Sequence, residues 1–373
     1  MKIGLVCPYS INKHGGVLEV VLALQEGLVK RGHDVKLITP MPRGTEASDH
    51  PDAIFIGSST DFRSPSHTTG QVSSITDSEK VDAILDQEQF DILHFHEPWV
   101  PLLSRQLLQR SKAINIGTFH SKIPETMVSR TYIKVVTPYL KSVMKYLHVL
   151  TAVSDSGAEY AASLTDLPIT IIPNGIDLVK YHKKANKKIN SEKTILYVGR
   201  LERRKGAKYL LRAFQLFSQD NPDVKLIIAG DGPDREKLEL LAEDLKLKNV
   251  NFLGFISEEL KLQLLDEADL FCSPAIFGES FGIVLLEAMA TGTVVVAGNN
   301  SGYSDLMQGI GAISIVNPED TTEFARRLHL LLHETELRQL WQKWAAEYVQ
   351  QFSNPIVVDQ YEALYKDSLK LYG

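Results

Sequence analysis

The fold of this chain is organised around one stretch, Phe277-Gly278-Glu279-Ser280-Phe281-Gly282-Ile283-Val284-Leu285-Leu286-Glu287-Ala288-Met289-Ala290-Thr291-Gly292. Its apolar run is typical of a largely buried helix. We expect that helix to begin at Ser280 as its N-cap, with Phe281 and Gly282 in the first turn. Backbone N–H groups at such a helix start have no partner within the helix and favour anions, phosphate above all. The stretch therefore predicts a phosphate site.

Two glutamates of this stretch indicate hydroxyl-bearing groups on either side of that phosphate. Glu279 precedes the helix start, and Glu287 lies eight positions later, at roughly 12 Å along a helix axis. A carboxylate this close to a phosphate would repel it, so we expect both side chains to bind neutral hydroxyls. Two polyols with a phosphate group between them describe a sugar nucleotide. An ordinary amphipathic helix with solvated glutamates is the alternative, because short motifs alone are weak.

Composition places the chain among globular proteins. Its 373 residues suit two domains, and its content of 44% hydrophobic and 23% charged residues is ordinary. A net charge of −6 argues against nucleic-acid binding. No apolar run approaches the ~20 residues needed to cross a bilayer. We therefore expect a cytoplasmic protein, and peripheral contact with the cytoplasmic face of a membrane stays open.

Strands and helices alternate along the chain in the pattern of a Rossmann-like fold. Paired glycines near the N-terminus let the backbone at Gly16 approach a ligand closely, although a plain tight turn is the alternative. The alternation restarts after the lysine-rich run 180–193, which predicts a domain boundary there. The opening segments are strand 2–7, loop Gly15-Gly16-Val17, helix 17–31 and strand 35–38.

The first half contains two further segments of note. Residues 58–80 are rich in Ser, Thr and Gly, and we expect a long loop or a weakly ordered segment there, without a basic cluster. For residues 127–147 we expect a helix that packs inward and keeps its lysines in solvent, with a helix lying on a membrane surface as the alternative. His94 and His96 alternate on one strand, where we favour a structural role over metal binding. His120 follows a strand end, so it is the better functional candidate.

In the second half, the loops after successive strands meet at one edge of the predicted sheet. This places five residues close together: Arg200, Lys205, Gly230, Glu279 and Glu287.

Seven short motifs occur in the order that they have in one protein family. Together they make the chain resemble the GT-B fold glycosyltransferases of family 4, also called glycosyl transferases group 1. Within that family the likeness is strongest to the GDP-mannose-dependent phosphatidylinositol α-mannosyltransferases. The motifs are Gly15-Gly16-Val17, His96-Glu97-Pro98, Thr118-Phe119-His120, Pro173-Asn174-Gly175-Ile176-Asp177, Gly199-Arg200-Leu201 with Lys205-Gly206, Gly230-Asp231-Gly232, and Glu279 to Glu287.

The resemblance implies an α/β protein with two Rossmann-like domains facing a central cleft. Residues 1–175 would form an acceptor domain, which a helix crossing back at about 354–373 completes. Residues 176–353 would form the domain that binds the sugar-nucleotide donor.

The resemblance also implies a retaining hexosyltransferase. It would move a hexose, mannose from GDP-mannose in the favoured version, to a lipid-linked, sugar or polyol acceptor in cell-envelope synthesis. The implied catalytic residues are His120, Glu279, Arg200 and Lys205. The implied donor-binding residues are Gly16, Arg200, Lys205, Gly230, Glu279, Ser280, Phe281, Gly282 and Glu287. Tyr9, Trp99 and Ser121 are the acceptor candidates.

Several alternatives stay open. The donor could be a UDP-sugar with a soluble acceptor, and a sugar-nucleotide epimerase or an inactive nucleotide-binding protein would share the fold. No Asp-x-Asp string occurs in the chain, so we expect neither a metal ion nor another cofactor. Arg203 and Arg204 are expected to be surface charges.

Overall fold

The chain folds into two compact units. The computed structural model describes residues 1–12, 15–42, 50, 52–63, 69–121, 137–182 and 192–373. Unit 1 comprises Met1–Gly175 together with Asn354–Gly373, and unit 2 comprises Ile176–Ser353. Each unit is built on a largely parallel sheet flanked by helices. This confirms the predicted α/β class, with two Rossmann-like units and a terminal helix that belongs to the first.

Among the described residues, the sheet of unit 1 has eight strands. They are β1 (Lys2–Val6), β2 (Asp34–Met41), β3 (Ala53–Arg63), β4 (Thr69–Ser73), β5 (Ile92–His96), β6 (Ile114–Phe119), β7 (Val149–Ala152) and β8 (Ile169–Ile171). Their spatial order is β4-β3-β2-β1-β5-β6-β7-β8, and β3 and β4 alone pair antiparallel within it. The order reverses between β1 and β5. Open α/β sheets bind ligands beyond the carboxyl ends of such a pair, the switch point.

Helices cover both faces of this sheet. In chain order they are α1 (Gly16–Lys30), α2 (Ser78–Glu88), α3 (Leu103–Leu108), α4 (residues 137–144) and α5 (Asp155–Ala162). The helix predicted over 127–147 is described from residue 137 only and ends at 144; its earlier part lies outside the described residues.

The predicted loop over 58–80 is wrong. β3 and β4 form an antiparallel pair there, with Ser59 opposite Ser73, and α2 begins at Ser78. The backbone N–H of Ser58 donates to Ser74 Oγ at 2.9 Å, and this bond extends the pairing beyond the end of β4. The sequence did not predict these strands because they are rich in Ser and Thr and lack an alternating apolar pattern. Backbone pairing at a sheet edge does not require that pattern. Residues 64–68 lie outside the described part.

In unit 2 the described strands form a six-stranded parallel sheet in the order β11-β10-β9-β12-β13-β14. They are β9 (Thr194–Val198), β10 (Lys225–Ala229), β11 (Val250–Gly254), β12 (Leu270–Ser273), β13 (Val294–Gly298) and β14 (Ile315–Val316). The helices are α6 (Ala207–Ser218), α7 (Arg235–Asp244), α8 (Glu258–Glu267), α9 (Ile283–Ala290), α10 (Ser301–Leu306), α11 (Thr321–His333) and α12 (Thr335–Tyr348). The sequence did not predict β14 and α10, which are too short for a periodic pattern.

The terminal helix α13 (Asn354–Tyr372) packs on α1 in unit 1. Glycine is required at their contact, because a Cβ on Gly27 would lie 2.6 Å from Val358 Cγ2. Tyr361 and Tyr365 of α13 are fully enclosed in the same apolar core. The last helix is therefore part of the core of unit 1.

Candidate active site

Glycines bring three loops of unit 2 together at the carboxyl edge of its sheet. A Cβ on Gly206, whose φ is 72°, would lie 1.9 Å from the Pro274 carbonyl oxygen. A Cβ on Gly230 would lie 1.9 Å from the Gly199 carbonyl oxygen. No side chain tolerates such approaches, so the loops after β9, β10 and β12 meet only because these positions are glycine. The predicted convergence of Gly230 with the loop after β9 is thus present.

Glu279 lies in the loop after β12 and pairs with two cations. Its Oε1 accepts from Lys205 Nζ at 2.8 Å and from Arg204 Nη1 at 2.6 Å. Burial alone would raise the pKa of Glu279, but Lys205 and Arg204 outweigh it and hold the pKa below its ordinary value. Glu279 is therefore ionised at neutral pH, and two positive charges surround it.

Arg200 joins this cluster through a second carboxylate. Its Nη2 lies 2.7 Å from Glu202 Oε1, and Arg204 Nε binds Glu202 Oε2 at 3.0 Å. The Glu202 side chain is buried, whereas that of Arg200 is 47% exposed. The loop after β9 thus presents the accessible guanidinium of Arg200 beside a buried carboxylate, and its cations Arg204 and Lys205 converge on Glu279.

The helix start differs from the prediction. The helix α9 begins at Ile283, and its N-cap is Gly282 with φ 110° and no side-chain cap. Ser280 is therefore not the N-cap, and Phe281 and Gly282 precede the first turn. The left-handed backbone at Gly282 delays the helix, because that conformation cannot continue into a right-handed turn. Phe281 instead anchors the loop, 5% exposed and edge-on to Phe352 at 5.8 Å.

This later start also changes the geometry of the two glutamates. Glu279 lies in a loop, so the predicted 12 Å axial separation along one helix does not apply. Glu287 lies about one turn inside α9, and its side chain is buried.

Glu287 belongs to a second polar cluster. Its Oε1 accepts from Lys261 Nζ at 2.9 Å and from the Tyr181 hydroxyl at 2.9 Å. The Tyr181 hydroxyl also lies 2.6 Å from Glu258 Oε1, which Lys261 contacts at 3.0 Å. Burial raises the pKa of Glu287 despite the opposing Lys261 charge. Glu287 is thus the less acidic of the two glutamates, and Glu279 the more acidic.

In unit 1, His120 follows β6 and lies at the end of a stack of histidines. His120 Nε2 is 2.8 Å from His96 Nδ1, and the His96 and His94 ring centroids are 4.1 Å apart. His94 in turn contacts the Tyr365 hydroxyl of α13 through Nδ1 at 2.7 Å. Burial lowers the pKa of His120 to about 4. His120 is therefore a neutral hydrogen-bonding group at physiological pH.

Two of the predicted acceptor residues lie beside a buried glutamate. Ser121 Oγ donates to Glu97 Oε1 at 2.5 Å. Tyr9 follows β1, and burial, with a smaller contribution from the nearby Glu97 carboxylate, raises the pKa of its hydroxyl. Glu97 itself was not predicted as a site residue.

Trp99 and Gly16 are the remaining predicted site residues of unit 1. Trp99 packs edge-on against Phe119 at 5.1 Å and near Tyr160 at 6.1 Å, within the apolar core of unit 1. Gly16 is the first residue of α1, so its N–H has no acceptor within that helix.

Arg204, Tyr181 and Lys261 contribute to these clusters, and the sequence did not predict them as site residues. Arg204 was expected to be a surface charge like Arg203, and this is wrong: Arg203 is exposed, whereas Arg204 contacts two glutamates. A three-residue 3₁₀ turn over Arg203–Lys205 directs the neighbouring side chains apart. Tyr181 and Lys261 reach Glu287 from distant segments of the sequence, and no local spacing indicates such a contact.

Neither a metal site nor a membrane span occurs in the described ranges. No group of three or more His, Cys, Asp or Glu side chains there could hold a metal ion. No helix within those ranges is long and apolar enough to cross a bilayer.

Several known proteins are similar to this chain over nearly its full length. The phosphatidyl-myo-inositol mannosyltransferase of Mycolicibacterium smegmatis is 31% identical over 98% of this chain and 94% of that protein. The enzyme of the same name from Mycobacterium tuberculosis is 31% identical over 98% and 97%. The N-acetyl-alpha-D-glucosaminyl L-malate synthase of Bacillus anthracis is 27% identical over 99% and 98%.

Solved structures share the fold over the whole chain. Sucrose-phosphate synthase from Thermosynechococcus elongatus has a TM-score of 0.77 at 21% identity, covering 99% of both chains. Anabaena HepE in complex with UDP and glucose has a TM-score of 0.76 at 18% identity, covering 98% of this chain and all of that one. Two family models match, Glycosyltransferase Family 4 over residues 14–180 and Glycosyl transferases group 1 over residues 180–348. The chain therefore belongs to the family 4, or group 1, glycosyltransferases and is a hexosyltransferase of the GT-B fold.

Proposed function

We propose that this enzyme transfers mannose from GDP-mannose, with retention of anomeric configuration, to an inositol-lipid or polyol acceptor of the cell envelope. The observation that carries the proposal is the pairing of Glu279 with Lys205 and Arg204 next to the start of α9. That arrangement places cations, the backbone N–H groups of a helix start and a hydroxyl-binding carboxylate in adjoining loops.

The diphosphate is the part of the donor that these loops suit best. Cleavage of the glycosidic bond leaves growing negative charge on the nucleoside diphosphate, and stabilising that charge is the main catalytic demand. Lys205 supplies a compact charge and Arg200 an exposed guanidinium fork. The N–H groups that follow Gly282 at the start of α9 add fixed dipoles.

The two glutamates are assigned to the two hydroxyl-bearing ends of the donor. Glu279 is proposed to accept hydrogen bonds from the transferred sugar while Lys205 and Arg204 keep it ionised. Glu287 is proposed to bind the ribose hydroxyls. Its contacts with Tyr181 and Lys261 hold the carboxyl in place beforehand, which lowers the entropic cost of binding.

In unit 1, His120 is the proposed catalytic residue. The histidine stack holds its ring by a bond to His96, and burial keeps it neutral, so it can bind a hydroxyl group. The sequence offers no obvious covalent nucleophile. Retention is therefore proposed to follow a front-face route in which the leaving phosphate takes the proton of the acceptor hydroxyl.

The proposed roles of the two units follow from these assignments. Unit 2 binds the donor, and unit 1 with its terminal helix binds the acceptor. The mannosyltransferases among the relatives span nearly the whole chain, which supports mannose and an inositol lipid as the substrates. A lipid acceptor would bring the enzyme into peripheral contact with a membrane surface.

A nucleotide panel read by thermal unfolding tests the donor half. Ligand at 100 times its dissociation constant stabilises by about 2.7 kcal/mol. We expect stabilisation by GDP and GDP-mannose, its loss in Lys205→Met, and its retention in Lys237→Met, a control on the 81% exposed side chain of α7. If UDP and UDP-sugars stabilise the protein instead, the donor is a UDP-sugar and not GDP-mannose. No response from any nucleotide by the folded protein would overturn the proposal.

A further inference from the structure

The carboxyl end of β5 carries a buried glutamate. Glu97 directly follows β5, and Tyr9 follows β1 after two intervening positions. β1 and β5 are the pair between which the strand order of the unit 1 sheet reverses. Ligands of open α/β sheets bind beyond the carboxyl ends of such a pair. Glu97 therefore lies where the topology of unit 1 places a ligand.

The backbone and side chain of Glu97 are held in a costly state. Its φ is 54°, a left-handed value that a non-glycine residue adopts at some cost in free energy. Its side chain is 0% exposed, and Oε2 has no hydrogen-bond partner among the described residues. Leaving a buried carboxyl oxygen without a donor is destabilising. Strain and an unmatched buried polar atom at one residue together indicate a functional site rather than a structural contact.

The surroundings of Glu97 select a neutral ligand. Burial raises its pKa to about 8, against the lowering effect of the Ser121 hydroxyl and the His120 backbone N–H. The titratable groups around it are Cys7 and Tyr9 beyond β1, and His96 and His120 at the ends of β5 and β6. Burial raises the pKa values of Cys7 and Tyr9 and lowers those of both histidines, so all four are neutral near pH 7.

A neutral carboxyl can donate one hydrogen bond and accept others. This matches a hydroxyl group, which does both, better than a phosphate, which only accepts, or an ammonium, which only donates. Ser121 already donates to Oε1, whereas no residue in the described part of the chain bonds to Oε2, so Oε2 is the oxygen assigned to the ligand.

We propose that Glu97 binds a hydroxyl group of the polyol acceptor through Oε2 and so determines acceptor specificity. The inference rests on the proposed transferase function and extends it to a residue of unit 1. A free polyol and the polyol of a lipid headgroup offer the same hydroxyls, and the experiment separates the two.

The test measures transfer rates with the donor that stabilises the wild type most, using myo-inositol and phosphatidylinositol vesicles as acceptors. Glu97→Leu removes both hydrogen-bonding oxygens at similar volume. We expect it to raise the acceptor KM about tenfold or more, while the donor KM and the acceptor-independent hydrolysis of the donor stay unchanged. An effect on vesicles alone assigns the hydroxyl to a lipid headgroup, and an effect on both acceptors assigns it to any inositol.

Glu97→Gln keeps a donor and an acceptor at the same place without a titratable group. We expect wild-type transfer to decline as pH rises through about 8, as Glu97 ionises, and the Gln variant to show no such decline. This pH profile decides the matter if Glu97→Leu does not fold. A Leu variant with the wild-type acceptor KM, or a Gln variant with the wild-type alkaline decline, would overturn the inference. Failure of the transferase proposal differs visibly, since the wild type itself would then respond to no nucleotide.

Discussion

Arg204 and Arg203 are adjacent and chemically identical, yet they have different environments. Arg204 bridges Glu202 and Glu279 with an 18% exposed side chain, and Arg203 is exposed. The sequence predicted Lys205, Glu279 and Glu287 as polar site residues because their spacing resembles a family pattern. It could not separate the two arginines, since a single turn of 3₁₀ helix decides which one faces inward.

The two arginines therefore form a matched pair for mutation. Arg204→Met leaves Glu202 with an unmatched buried carboxylate oxygen, so we expect the free energy of unfolding to fall by about 1–3 kcal/mol. Arg203→Met should change it by less than about 0.5 kcal/mol. Urea unfolding of both variants measures the difference. Equal effects would mean that the contacts of Arg204 do not hold the loop.

At the scale of elements, the loop after β9 depends on Gly206. The loops that carry Lys205, Gly230 and Glu279 meet as predicted, because parallel strands place these loops at one edge of the sheet. Glu287 was predicted to join them and instead belongs to a separate cluster with Lys261 and Tyr181. The predicted start of α9 was wrong, because the left-handed backbone at Gly282 and the anchoring of Phe281 depend on packing that the local sequence does not reveal.

Gly206→Ala should combine backbone strain with a clash against the Pro274 carbonyl oxygen. Gly32 has a similar φ, 81°, with nothing within 4 Å of an added Cβ, so Gly32→Ala measures the strain alone. We expect Gly32→Ala to cost roughly 1 kcal/mol and Gly206→Ala roughly 2–4 kcal/mol, with loss of nucleotide stabilisation in the latter. Equal costs in thermal unfolding would contradict the close approach of these loops.

The terminal helix supports the histidine stack through one hydroxyl. Tyr365→Phe removes the 2.7 Å contact with His94 Nδ1 and leaves that buried nitrogen without a partner. We expect a loss of about 1–2 kcal/mol in the free energy of unfolding. Tyr372→Phe, at a 46% exposed position of the same helix, is the control and should be neutral. A neutral Tyr365→Phe variant would show that α13 packs on unit 1 without supporting the stack.

At the scale of the whole molecule, the order of strands and helices was largely predictable. Each strand–helix repeat carries its own apolar pattern, and the restart after residue 180 separates two such series. The buried polar clusters were less predictable. His94 and Tyr365 stand far apart in the sequence, as do Lys261 and Glu287, and only the folded chain pairs them.

The buried histidines and Glu97 should make the free energy of unfolding fall both as pH decreases and as pH increases from about 6.5. The lowered pKa values of His94 and His120, about 3 and about 4, mean that the unfolded chain takes up protons first as pH falls below 6.5. Stability should therefore decline from pH 6.5 towards pH 4. Glu97 has the opposite sign: its raised pKa lets the folded state keep a proton that the unfolded state has lost, so stability should also decline as pH rises towards 8.

Unfolding midpoints in urea across pH 4.5 to 9 measure this profile. We expect a maximum near pH 6.5 and a loss of the alkaline decline in Glu97→Gln. A profile that is flat between pH 5 and 8 would contradict the assignment of neutral histidines and a neutral Glu97 in the folded protein.

The most direct test of the central claim is a transfer assay with GDP-mannose and phosphatidylinositol vesicles, with the products identified by mass spectrometry. We expect a mannosylated lipid from the wild type, and a loss of at least about a hundredfold in Lys205→Met, since a cation on the leaving diphosphate contributes several kcal/mol in the transition state. Lys237→Met should retain full activity. Equal product from Lys205→Met and the wild type would contradict the claim that the loops after β9 and β12 hold the donor.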